Sequence, residues 1–263
     1  MRGVHGAAGP VLAVAALSAA LCSGSARAAD EEIQVYQDEM SGAGKFGLDL
    51  HTNYVLSGDP TPDHPGGEVS LHRFRMTPEW SYGVSDNIDL GLYLPLTTLD
   101  RDGQFRVGGV KGRIKYIAPK AAGQHWFWGA NFEIGRVRKS LDLNPWNAEL
   151  KGVYGWRSGR WTVGLNANVD WVVSGPAPSP AEASVAAKVS YQTSPDLAVG
   201  FESYNSLGTF RRFGRLSENE QALYGVVDKN LGKWDLNVGL GHTYGTAGDG
   251  WVLKLIIGVP IDG

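Results

Sequence analysis

The chain has 263 residues, among them 36 Gly, 9 Trp and 10 Tyr, with a net charge of −3 and a pI near 6.1. That length suits one large all-β domain, and the acidic balance, with no basic block, excludes nucleic acid as a partner. Past the N-terminus no run of about 18 apolar residues occurs, which excludes a spanning helix; the mean hydropathy of −0.19 is what strands alternating between lipid and lumen produce.

Residues 1–28 read as a cleaved signal peptide. Arg2 and His5 precede the apolar run Val11–Leu17, and Ala26-Arg27-Ala28 forms an A-x-A cleavage site. The single cysteine, Cys22, lies before this cut and lacks the flanking residues of a lipoprotein site. The mature chain therefore has no thiol and no disulfide. Residues 29–44 read as a periplasmic lead, and 45–263 as the barrel.

Period-two alternation starts at Phe46. In 46–54, Phe46, Leu48, Leu50 and Tyr54 share one face, opposite Gly47, Asp49, His51 and Asn53. Successive strand side chains point to opposite faces, so one face is apolar and the other wet. The same pattern predicts strands over 69–82, 88–98, 106–118, 125–138, 146–156, 161–172, 182–191, 197–204, 219–228, 234–244 and 251–260. The segment 219–228 is ambiguous, because Leu223 and Tyr224 compete for the apolar face. Short turns rich in Gly, Asn, Asp, Pro or Ser alternate with longer connections, as in outer-membrane barrels.

Most of these segments reach the roughly 9–11 residues that a tilted transmembrane strand needs, against about 5–6 in soluble sheets. Trp and Tyr gather at segment ends, as interfacial girdles require. The prediction is a twelve-stranded antiparallel up-and-down β-barrel of the outer membrane. A secreted soluble β-sandwich is the competing reading, with the charged face turned to solvent.

The lead Gln34-Val35-Tyr36, the strand Gly47-Leu48-Asp49-Leu50-His51 and the run Thr77 to Asn87 followed by Gly91-Leu92-Tyr93-Leu94-Pro95 resemble uncharacterised outer-membrane barrels. Those are grouped with transporters of phenol-degradation pathways. The resemblance covers mainly the first third of the chain. It implies a channel or uptake role and supplies no catalytic residues.

The wet face carries the candidate site. Arg73, Arg75 and Glu79 fall on the second strand, and Lys111, Arg113 and Lys115 on the fourth. Asp49, Asp89, Glu133, Glu149, Asp170, Glu182, Glu202 and Asp235 share the inner face. A hairpin centred on 119–124 places Lys111 opposite Glu133 and Arg113 opposite Asn131. These charges form either a salt-bridge ladder that fills a narrow barrel or a selectivity lining. The selectivity set is Arg73, Arg75, Lys111, Arg113, Lys115, Glu133, Glu149, Asp170 and Glu182, with a basic wall facing an acidic one.

Other chemistry is thinly supported. Ser70 or Ser203 with His72 or His242 would suit a membrane-embedded lipid hydrolase, but no motif joins them, and His51 beside Asp49 reads as a lumen hydrogen-bonding pair. Asp59, Asp63 and His64 share a proline-stiffened loop and read as solvated rather than metal-binding. Arg211, Arg212 and Arg215 could meet lipopolysaccharide phosphates. The sequence thus points to a passive channel or transporter without cofactor, with small solutes, outer-membrane lipid and lipopolysaccharide as partners. A pore-free structural or surface-loop barrel is the alternative, and a hydrolase a distant one.

Overall fold

The computed structural model describes residues 32–97, 105–246 and 250–261; the expected signal peptide lies outside them. Twelve long strands form one sheet: β1 (Phe46–Val55), β2 (Phe74–Ser85), β3 (Ile88–Tyr93), β4 (Gly109–Ile117), β5 (Trp126–Val137), β6 (Trp146–Ser158), β7 (Trp161–Ser174), β8 (Glu182–Ser194), β9 (Leu197–Thr209), β10 (Glu220–Leu231), β11 (Trp234–Gly245) and β12 (Trp251–Pro260). Each pairs antiparallel with its neighbour in sequence. β1 pairs with both β2 and β12, from Gly47↔Pro260 to Val55↔Val252, which closes the barrel. Closure leaves no sheet edge, the condition for strands in lipid.

The alternating sequence explains the two faces. Leu92 and Leu165 point outward, 46% and 41% exposed, whereas Asp89 and Asn166 point inward and are buried. Aromatic side chains pair across strands near both rims: Phe46 with Tyr82 at 4.6 Å and Trp161 with Tyr191 at 4.9 Å at the short-turn end, His242 with Trp251 at 5.0 Å at the loop end.

Several boundaries differ from expectation. β2 starts at Phe74 instead of 69, because Ser70–Arg73 forms a turn in which Arg73 N–H donates to the Ser70 carbonyl and His72 has φ 58°. β8 and β9 run on to Ser194 and Thr209, beyond the expected 191 and 204. β3 stops at Tyr93 because Pro95 has no N–H to give the ladder. The two-residue pieces Leu96–Thr97 and Arg106–Val107 then resume the wall above it.

The β4–β5 register is shifted by two residues from expectation. Arg113 lies opposite Glu133, and Lys115 opposite Asn131, with Lys111 facing Gly135. The cause is an asymmetric turn: Ala118 N–H bonds the Trp128 carbonyl, and a tight Ala121–Gln124 turn follows. A slip of two preserves which face each side chain takes.

Candidate functional site

The segment expected as a periplasmic lead runs inside the barrel. It turns in at the short-turn mouth, where Gly42 and Gly44 adopt φ of 82° and 73° and Gly44 N–H bonds the Gly83 carbonyl. A Cβ on Gly83 would collide with the Gly42 carbonyl, so both chains need glycine at this crossing. From there the lead passes upward through the lumen.

Near the mouth the lead is held by charge. Arg157 on β6 donates to Asp38 at 2.7 Å, Glu39 at 2.7 Å and the Gln37 amide oxygen at 3.0 Å. Lys120 reaches Asp38 at 2.5 Å, and Lys115 donates to the Glu39 carbonyl at 2.8 Å. Burial alone would raise the Asp38 carboxyl, but the bonds from Lys120 and Arg157 outweigh it and hold the group below its ordinary range. A depressed carboxyl keeps its ion pairs at neutral pH and loses them only as acid protonates it.

Higher up, Asn166 on β7 binds the lead as a third strand would. It accepts from Tyr36 N–H at 2.7 Å and donates to the Tyr36 carbonyl at 2.9 Å. The Tyr36 hydroxyl meets Tyr93 on β3 at 2.7 Å and Glu133 on β5 at 3.2 Å, while the Lys151 ammonium lies 4.1 Å from its ring. Contacts to β3, β5, β6 and β7 from one residue hold Tyr36 against that side of the wall. At the lead's upper end Ile33 packs with Val55, Tyr224, Val226 and Val252, and its carbonyl accepts from Lys254. Tyr224 thus points inward, which settles the ambiguous strand: Leu223 is the exposed residue.

The wall behind the lead is charged. The pairing row Arg113, Glu133, Glu149, Asp170, Glu182 crosses β4 to β8, each residue opposite the next. Four neighbouring carboxylates therefore occupy one sector. Arg75, Arg113 and Lys115 are buried in the adjacent sector with Lys111; Arg73 sits in the turn above β2, not on the strand. Arg113 pairs with Glu79 at 2.7 Å, and Glu79 also accepts from His51 at 3.2 Å. Lys151 offsets Glu149 at 2.8 Å. Opposite, Glu202 lies between Lys254 and Lys188, and Lys188 also bonds Asp228 at 2.9 Å. Sequence reasoning had Glu79 and Glu202 on the inner face but gave neither a role in the site.

Among the described residues one trio has metal-ligand character. Ligand atoms of Glu32, His51 and Glu79 lie within 4.8 Å of one another. The Arg113 guanidinium already compensates Glu79, so a cation there would meet repulsion. The loop trio is tied otherwise: Asp59 accepts from Thr61, and His64 Nε2 bonds the Lys139 carbonyl at 2.6 Å. The residues weighed for hydrolase chemistry are dispersed, with Ser70 bonded to Asp59, His72 stacked on Tyr54 and His242 packed on Trp251.

A closed twelve-stranded ring with an apolar outer wall, aromatic rims and a charged interior is an outer-membrane β-barrel. No family model and no curated protein sequence matches the chain. Solved structures do: an outer membrane channel from Pseudomonas putida F1 superposes with a TM-score of 0.58 at 15% identity, covering 88% of this chain and 100% of that one. The NanC porin gives 0.53 at 12% identity over 81% and 98%, and the KdgM porin 0.52 at 10% over 80% and 97%. At these identities the likeness is one of fold.

Proposed function

We propose that the barrel is a passive channel for small solutes and that its own N-terminal lead gates it. The observation that carries this reading is the lead itself. It crosses a closed barrel yet is fastened by side-chain bonds at separate points, from Arg157 at the mouth to Lys254 above. A segment so held can leave without breaking any strand pairing. The resemblance of residues 34–95 to phenol-pathway transporters supports an uptake role. So does the porin-like fold; KdgM has also been crystallised with disordered oligogalacturonate.

The selectivity of the opened path would come from the two walls. Basic Arg73, Arg75, Lys111, Arg113 and Lys115 adjoin acidic Glu133, Glu149, Asp170 and Glu182 on neighbouring strands, so positive and negative sectors lie side by side in low-dielectric surroundings. Neutralising the acidic wall with Glu149→Gln, Asp170→Asn and Glu182→Gln should move the reversal potential toward anion preference under a salt gradient. The shift should shrink at high salt, as the screening length falls from about 10 Å at 0.1 M to about 3 Å at 1 M. An unchanged reversal potential at low salt would place these carboxylates outside the conduction path. The alternative of a pore-free barrel draws on the paired Asn166 bonds to the Tyr36 backbone.

A further inference from the structure

We propose a binding site for the phosphorylated acyl glycolipid of the outer leaflet, lipid A, on the outer wall between β4 and β5. Two features meet there. The first is a groove of about 520 Å³ at the loop end of the barrel, beside the place where β3 ends at Tyr93 and the short pieces Leu96–Thr97 and Arg106–Val107 take over the wall. Leu94, Val107, Val110 and Pro145 line it. Val107 and Val110 are 50% and 45% exposed on the lipid-facing side. An apolar cleft open to the bilayer takes an acyl chain.

The second is a basic rim. Arg136 and Arg138 are two residues apart and both point outward, on the face that Ile134 presents to lipid lower down. Lys139 follows, also exposed and also lining the groove. Outward-facing cations are costly in the hydrocarbon and are tolerated only near an interface. Trp146, opposite Arg136 in the β5–β6 register, is 41% exposed and marks that level. The chain here is fixed before any ligand arrives. The Lys139 carbonyl accepts from His64, Glu68 N–H bonds the Ser140 carbonyl at 2.8 Å, and the Arg138 carbonyl accepts from Leu141 and Asp142 N–H. Arginine forks bind phosphate in bidentate fashion, and a fixed backbone lowers the ordering cost of doing so.

Charge and shape together select the ligand. A basic rim alone would take any phosphate, and a groove alone any acyl chain. Side by side on the outer wall at the loop end, which outer-membrane barrels turn to the outside, they fit a lipid that carries both. The loop arginines Arg211, Arg212 and Arg215 lie in a different connection, between β9 and β10, away from this groove.

Native mass spectrometry of the detergent-folded protein, titrated with bis-phosphorylated lipid A, tests this. The variant Arg136→Gln/Arg138→Gln/Lys139→Gln should bind roughly tenfold or more weakly, the loss expected when charge-assisted contacts are removed. Arg211→Gln/Arg212→Gln should bind like wild type. Lipid A stripped of phosphate should bind wild type as weakly as the triple variant binds the intact lipid, and inorganic phosphate should not displace the lipid. The pair Arg136→Gln/Arg138→Gln, all on the surface, should show a partial loss. Equal binding by the triple variant, equal binding of the phosphate-free lipid, or full displacement by inorganic phosphate would each overturn the assignment.

Discussion

Leu165→Arg is expected to cost about 2–4 kcal/mol of folding free energy in a bilayer, the usual penalty for a cation at the midplane of a barrel wall. Leu165 lies between Trp161 and Trp171 on the outward face of β7 and is 41% exposed to the lipid side. An arginine there has no lumen to reach and no acid beside it. Asn168→Arg is the matched control. It lies three residues on, faces inward and is opposite Lys151 in the row next to the acidic one. Asn166 would serve less well, because it grips the Tyr36 backbone. Urea titration in lipid vesicles should show a large loss for Leu165→Arg and a small one for Asn168→Arg. Equal losses would mean that the two faces have been exchanged.

Glu202→Ala should be destabilising by about 3–5 kcal/mol, the range for removing one partner of a buried ion pair. Glu202 and Lys254 are each 2% exposed. Without the carboxylate, Lys254 keeps the Ile33 carbonyl and the face of the Tyr224 ring, 5.7 Å away, but no counter-charge, while Lys188 retains Asp228. The penalty is therefore chiefly that of an uncompensated Lys254. Combining Glu202→Met with Lys254→Met should recover much of the loss, since paired charges replaced by apolar groups of similar size are often tolerated. A double-mutant cycle in vesicles measures this. Strictly additive losses would show that the two side chains do not interact.

The wall was legible in the sequence because lipid on one side and polar filling on the other impose a strict period of two. Strand ends were less so. Ser70–Arg73 carries the alternation of a strand, yet a left-handed His72 turns it away. The β4–β5 register was missed by two residues because hairpin register depends on turn geometry, and the turn after Ile117 is asymmetric. The inner placement of the lead was the largest gap. Its short run of Ile33, Val35 and Tyr36 has no periodic partner in the sequence. A signal did exist elsewhere: Tyr93, Phe127, Val153, Tyr224 and Val226 sit on the wet face, where a water-filled barrel gives an apolar side chain nothing to pack against. Phe127, Val153, Tyr224 and Val226 pack on the lead instead, and Tyr93 meets its Tyr36 hydroxyl. Gly241 opposite Tyr224 belongs to the same arrangement, because a Cβ there would strike the tyrosine ring.

Single-channel recording in a planar bilayer tests the gating account most directly, comparing the full protein with one lacking residues 32–41. None of the removed residues belongs to a strand, so the shortened barrel should still show the slower migration after boiling that marks a folded barrel. The account predicts that removal raises the open fraction and the conductance, and that Asn166→Ala, which frees only the Tyr36 backbone, moves both in the same direction by less. Identical conductance from the full and shortened proteins, or silence from both with the fold intact, would contradict it.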